Sequence, residues 1–177
     1  MSRRVSSIRN RFSPVGPEPR EAGAAFFRNA IITHRRAEDP RGHLLEIERA
    51  FGGEAEAMKH MRRFYLAVRG DDLRGEDRLI GATPAVAAGW RLRFHLHPGV
   101  KASLARDNRS IILALANREG WRFRTNCRAI SIERSIYCGA GGLPQTTEQI
   151  VIGGDGLEAD PEGDMVVRWS FRRMETA

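Results

Sequence analysis

Apolar and polar residues alternate along most of the chain beyond about residue 57. The clearest run has an apolar residue at every second position, with arginine or histidine between them: Trp90, Leu92, Phe94 and Leu96. Shorter runs with the same period lie at 63–68, 121–124, 130–132 and 167–172. A period of two is typical of a β-strand with one face buried and the other in water.

Turn-forming residues separate these runs. Gly-Asp-Asp at 70–72, His-Pro-Gly at 97–99 and the glycine-rich segments 139–144 and 153–163 are examples. About seven short strands, with no convincing helix between them, predict an all-β fold, namely an antiparallel β-sandwich over about residues 57–174.

The chain changes character near residue 57. Residues 1–20 are rich in Arg, Ser and Pro with little periodicity, and we interpret them as a mobile arm. The segment 43–51 fits either two helical turns or a strand around Leu45 and Ile47. We therefore divide the chain into an N-terminal segment, 1–56, that is poorly ordered or partly helical, and a sandwich domain, 57–177.

Composition limits the class of protein. The 177 residues are 41% hydrophobic, which suits one ordinary domain. No run approaches the roughly 18 apolar residues of a membrane-spanning helix, so no membrane partner is expected. The net charge of +7 comes almost wholly from arginine and favours polyanionic partners. Few aromatic residues are left for outer faces, so base stacking is weakly supported and nucleic acid is an unlikely partner.

The two cysteines are not expected to form a disulfide with each other. If the segment between Cys127 and Cys138 is one continuous strand, they lie about 36 Å apart. A disulfide needs Cα atoms within about 7 Å. We expect two free thiols.

Six segments of the chain, in their order and spacing, carry a family resemblance. They are HMRRFYLAVRGDDLRGEDRL (60–79), RFHLHPGVKASL (93–104), GWRFR (120–124), ISIERSIY (130–137), TTEQIVIGG (146–154) and VRWSFRR (167–173). Together they resemble the C-terminal β-sandwich domain of bacterial heparinase II/III-like proteins over about residues 57–174.

This resemblance implies polysaccharide lyase ancestry. Such lyases cleave uronic-acid-containing glycans by β-elimination, in which a base removes the C5 proton and an acid protonates the leaving oxygen. Full-length relatives carry most catalytic groups in an N-terminal helical toroid, for which there is no room before residue 57. We therefore assign no catalytic residue and expect a fragment or stand-alone descendant that is inactive alone, with a separate toroid domain and an acidic polysaccharide as implied partners.

The family resemblance also implies a location. It places the protein in the cell envelope or periplasm. The arginine-rich N-terminus has no apolar segment of a signal peptide behind it, so the cytoplasm is the alternative.

Four arginines are the predicted substrate-binding residues: Arg91, Arg93, Arg122 and Arg124. Like Arg168 and Arg172, they alternate with core residues and should lie on outer sheet faces. If neighbouring strands carry them, they form a basic surface whose guanidinium groups match carboxylate and sulfate oxygens. The alternative is that arginine is the solubilising residue of this chain. A non-catalytic module that binds anionic glycans or another partner through this face is the alternative function.

His60 is the one predicted metal ligand, since some relatives hold a structural zinc in this region with another histidine and an aspartate. The expected upstream partners are missing, so no cofactor is assigned, and a strand-edge histidine bonded to backbone is favoured over zinc. His95 and His97 share one strand face and could chelate a metal, although a solvated polar face is the favoured interpretation. The acidic segment 71–77 is interpreted as a charged turn between strands rather than a calcium site.

Overall fold

The computed structural model of the chain describes residues 9–12, 31–51, 58–139, 142–153 and 158–175. Within these residues there are thirteen strands and one short helix. In the N-terminal half the strands are β1 (Arg9–Phe12), β2 (Ile31–Asp39), β3 (Gly42–Phe51), β4 (Met58–Ala67), β5 (Asp72–Ile80) and β6 (Arg91–His95). The remaining strands are β7 (Lys101–Leu104), β8 (Ser110–Ala114), β9 (Gly120–Thr125), β10 (Ile130–Tyr137), β11 (Gln145–Gly153), β12 (Glu158–Ala159) and β13 (Met165–Arg173).

The strands form two antiparallel sheets. The smaller sheet has the order β1-β6-β11-β10. The larger has the order β2-β3-β4-β5-β13-β9-β8-β7, with β12 paired to β13. The predicted all-β sandwich is confirmed.

The core lies where the two sheets face each other. Phe94 of β6 is fully buried, and its ring centroid lies 4.8 Å from that of Trp169 on β13 and 5.2 Å from that of Phe123 on β9. Tilted and edge-on rings at these separations add to the stabilisation from buried area. The inward faces predicted for residues 90–96, 121–123 and 167–171 are therefore confirmed.

The larger sheet extends N-terminal of the predicted boundary at residue 57. Strand β3 pairs with β4 along its whole length, and β2 pairs with β3. Segment 43–51 is thus a strand rather than two helical turns. Strand β1 falls within the predicted arm but pairs with β6 in the smaller sheet. The rest of that arm lies outside the described residues.

The interpretation of 71–77 as a charged turn was wrong, because residues from Asp72 onward form β5. This strand is held by β4 on one side and β13 on the other. Its acidic residues meet basic or hydrogen-bond-donating residues on those neighbours, so a charged sequence is accommodated in the middle of a sheet.

A single helix, α1 (Pro84–Gly89), was not predicted. It begins at Thr83, whose hydroxyl accepts a hydrogen bond from the Val86 amide at 3.3 Å, and proline occupies its first turn. No helix in the described part of the chain is long and apolar enough to cross a membrane. Cys127 is buried and Cys138 is exposed, and the two do not form a disulfide with each other.

Candidate functional site

The outer face of the larger sheet carries a groove of about 890 Å³. Strands β4, β5, β13 and β9 supply most of its lining. The lining includes three carboxylates, Asp72, Glu76 and Glu175, and seven arginines: Arg63, Arg74, Arg122, Arg124, Arg168, Arg172 and Arg173. The groove is therefore strongly cationic.

One side of the groove is formed by the Arg63, Glu76 and Arg168 end of a row of alternating charges that crosses five neighbouring strands. We call it the paired row; its members are Arg35, Glu46, Arg63, Glu76 and Arg168. Arg63 donates to Glu46 at 2.6 Å, and Arg168 donates to Glu76 at 2.8 Å. Arg63 also reaches Glu76 at 3.5 Å. Opposite charges directly across strands each stabilise a sheet by about 0.2–1 kcal/mol.

The other side of the groove has arginines that form no ion pair within the described residues. We call Arg122, Arg124 and Arg172 the open cluster. Arg122 and Arg172 lie directly opposite each other on β9 and β13, and Arg124 is two residues further along β9. Among the described residues, no carboxylate forms an ion pair with any of the three. The hydrogen bonds that the Arg109 amide and Ser110 donate lower the pKa of Asp107, and the charge of Arg122 lowers it further. Like charges directly opposite on neighbouring strands are destabilising unless an anion lies between them.

The structure separates the four arginines that were predicted to share a binding surface. Arg122 and Arg124 lie in the groove with Arg168 and Arg172. Arg91 and Arg93 belong to β6 in the smaller sheet, where the inward direction of Phe94 places them on the opposite outer face. Arg91 donates instead to the backbone oxygens of Ala88 and Trp90. A single basic surface of all four arginines does not form.

A second charged cluster lies inside the sandwich, around the fully buried carboxylate of Asp77. His60 Nε2 lies 2.7 Å from Asp77 Oδ1, and Trp169 Nε1 donates to Oδ2 at 2.8 Å. Arg62 Nε also donates to Oδ1. Burial alone would raise the pKa of Asp77, but the Arg62 charge and the hydrogen bonds hold that pKa below its usual value.

Gly75 makes room for this network. A Cβ on Gly75 would lie 2.1 Å from Trp169 Cζ2, so the indole can extend beneath β5 to Asp77 only because residue 75 has no side chain. Three strands, β4, β5 and β13, are thus tied together at one carboxylate.

Within the described residues, His60 has too few neighbouring ligands for the predicted zinc. A zinc site needs three or four N, O or S ligands. Asp77 is a second candidate ligand, but the described residues contain no group of three His, Cys, Asp or Glu side chains placed to hold a metal. The guanidinium of Arg62 occupies the same carboxylate oxygen as His60. His60 is buried, and its Nε2 lies against the Asp77 carboxylate, a partner that was not predicted for it.

His95 and His97 have different partners, although they are two residues apart. His95 Nδ1 lies 2.6 Å from the Ser135 hydroxyl. His97 accepts a hydrogen bond from the Gly99 amide, and its ring packs edge-on against Tyr137 with centroids 5.0 Å apart. The favoured prediction of a solvated polar face holds for His97, which is exposed, whereas His95 is half-buried.

Sequence reasoning missed Glu46, Glu76 and Asp77. Their partners are at least 11 residues away along the chain, and only the register of the strands brings them together. The available signal was the alternation of Asp72, Arg74 and Glu76 at every second position, which indicates a strand face rather than a turn.

A two-sheet antiparallel sandwich with a cationic outer groove is the class of domain that these features define. The chain matches the family described as heparinase II/III-like, C-terminal, over residues 16–170. It belongs to that family.

The chain is 32% identical over 154 residues to FtsZ-localized protein C of Caulobacter vibrioides, a match that covers 82% of this chain and 26% of that protein. Among solved structures it resembles a heparinase III, with a TM-score of 0.54 and 11% identity, over 82% of this chain and 22% of the other. It also resembles the heparan sulfate lyase HepC from Pedobacter heparinus, with a TM-score of 0.52 and 12% identity, over 84% and 23%. The two structures share the fold, and this chain spans about a quarter of the length of each of these proteins.

Proposed function

We propose that this chain is the β-sandwich part of a heparinase II/III-like protein and that it binds an acidic, uronic-acid-containing glycan in the outer groove. The observation that carries the proposal is the excess of arginine over carboxylate in the groove lining. The planar guanidinium group forms paired hydrogen bonds with carboxylate and sulfate groups, which are the charged groups of such glycans.

Binding without cleavage is the activity that we expect of these 177 residues. In lyases of this class a tyrosine and histidines carry out the proton transfers, which require groups within hydrogen-bond reach of the sugar. Tyr65 lines the groove, but its hydroxyl donates to the Arg41 backbone oxygen at 3.0 Å. The one tyrosine–histidine ring pair within the described residues, Tyr137 with His97, is not part of the groove lining.

Retention on a heparin column tests the binding. Arg124→Ala should elute at lower salt than the parent chain, because Arg124 is exposed in the groove and has no ion-pair partner in the described residues. The matched control is Arg134→Ala, which removes the same charge from an exposed position on β10 in the smaller sheet. Retention should fall with added salt for both, since exposed charges are screened within about 8 Å at physiological ionic strength. Equal losses in the two variants would mean that net charge, and not the groove, is responsible.

A second candidate function is a protein-interaction module. The observation in its favour is the 32% identity to a protein named for its localization with FtsZ. Co-sedimentation with purified FtsZ polymers tests this candidate directly. Co-sedimentation that heparin does not compete away would place the interaction outside the groove.

A further inference from the structure

One carboxylate of the groove, that of Glu76, already lies between two of its arginines. Glu76 projects into the groove from β5 between Arg63 on β4 and Arg168 on β13, to which it is paired directly across the strands. Its two carboxylate oxygens face different partners, since Oε2 accepts from Arg168 Nε and Oε1 is within reach of Arg63 Nη1. Glu76 therefore occupies the position that a carboxylate of a bound ligand would take between these two arginines.

No carboxylate among the described residues forms an ion pair with the open cluster. Asp107 interacts with the charge of Arg122, but its carboxylate is engaged by the Arg109 amide and the Ser110 hydroxyl. Arg124 and Arg172 are exposed, and the residue directly opposite Arg124 on β13 is the neutral Ser170. Asp72 lies opposite Arg172 on β5, but its carboxylate is engaged by Arg74 at 2.7 Å. The two sides of one groove thus differ in whether the arginines are already neutralised.

We propose that Glu76 acts as an internal competitor that confines anion binding to the open cluster. This inference rests on the proposed function, because it concerns how the same groove selects its ligand. Arg168 is held by Glu76, and Arg63 is held by Glu46 and Glu76, so both contribute little to a ligand. Arg122, Arg124 and Arg172 hold the ligand's anionic groups. Removal of the Glu76 charge would extend the binding surface along β13 to Arg168.

The structure allows a ligand anion to take the place of the Glu76 carboxylate. Arg168 remains 63% exposed, so a ligand can reach its guanidinium group once the carboxylate is gone. Exposed ion pairs contribute little to stability, so the sheet should tolerate replacement of Glu76 by the isosteric glutamine. Arg63 keeps its second partner, Glu46, in the variant.

The test measures dissociation constants for a defined heparin oligosaccharide with the full 177-residue chain. Glu76→Gln should bind more tightly, by roughly twofold to fivefold, as expected for one exposed charge pair. The matched control is Glu162→Gln, which removes a charge from an exposed residue that does not line the groove. It should change the constant less than Glu76→Gln does.

A double-mutant cycle identifies the mechanism. Arg168→Ala should leave the dissociation constant nearly unchanged in the parent chain, yet weaken binding by roughly twofold to fivefold in the Glu76→Gln background. If Arg168→Ala weakens binding equally in both backgrounds, Glu76 does not compete and the inference is overturned, while glycan binding by the groove stands. If neither the parent chain nor Glu76→Gln binds heparin, the proposed function itself fails.

Discussion

Asp77 is the buried residue at which strands β4, β5 and β13 are joined by side chains. Asp77→Asn would leave Arg62 beside a neutral amide, and the amide group cannot accept hydrogen bonds from all three donors. Loss of one partner of a buried ion pair typically costs about 3–5 kcal/mol. We therefore expect the free energy of unfolding in urea to fall by about that amount at neutral pH, while the exposed Glu162→Gln changes it by less than about 0.5 kcal/mol.

The same carboxylate gives the stability a pH dependence. Because the folded state lowers the pKa of Asp77, its contribution is fully present above the unfolded value of about 3.9 and is lost as the pH falls towards the folded value. The difference in unfolding free energy between the parent chain and Asp77→Asn should therefore shrink below about pH 4. A difference that stays constant down to pH 2 would contradict the charged state assigned to Asp77.

At the level of single elements, β9 provides a direct comparison of its two faces. Phe123 is fully buried against Phe94 and Phe171, whereas its neighbour Arg124 is exposed on the outer face. Phe123→Ala should lower the free energy of unfolding by about 3–5 kcal/mol through the cavity it leaves. Arg124→Ala should lower it by less than about 0.5 kcal/mol. Comparable losses from the two substitutions, measured by chemical denaturation, would show that the register of β9 is wrong.

The sequence predicted the faces of β6, β9 and β13 correctly because each has large apolar residues at every second position. It failed at β5, where both faces carry charge: Asp77 and Glu76 are adjacent, one buried in the core and one in the groove. Alternation of apolar residues detects only a strand with one apolar face. A charged strand such as β5 is stabilised by residues on the strands beside it, here β4 and β13. The pattern within the strand itself does not show which strands those are.

For the molecule as a whole, the sheet order also decides which arginines share a surface. Arg93 and Arg124 follow the same local pattern, an arginine next to a buried phenylalanine, yet they lie on different sheets. Local pattern gives the direction of a side chain relative to its own strand. It does not tell which of two sheets the strand joins, so the binding surface could be predicted only in part. The groove depends on β13 lying between β5 and β9, which are separated by about 40 residues in the chain.

The placement of charge in the whole domain leads to an expectation about catalysis. The groove supplies guanidinium groups, which neutralise a uronate carboxylate, but β-elimination also needs a base at C5 and an acid at the leaving oxygen. Among the described residues that line the groove, Tyr65 is the one phenol, and its hydroxyl is bonded to backbone. We therefore expect the 177-residue chain to retain heparin and heparan sulfate without producing the unsaturated uronate, which is followed by its ultraviolet absorbance. A heparan sulfate lyase assayed in parallel establishes that the product is detectable. Sustained product formation by the purified chain would show that its own residues complete an active site, and loss of that activity in Tyr65→Phe or Tyr137→Phe would identify the tyrosine responsible.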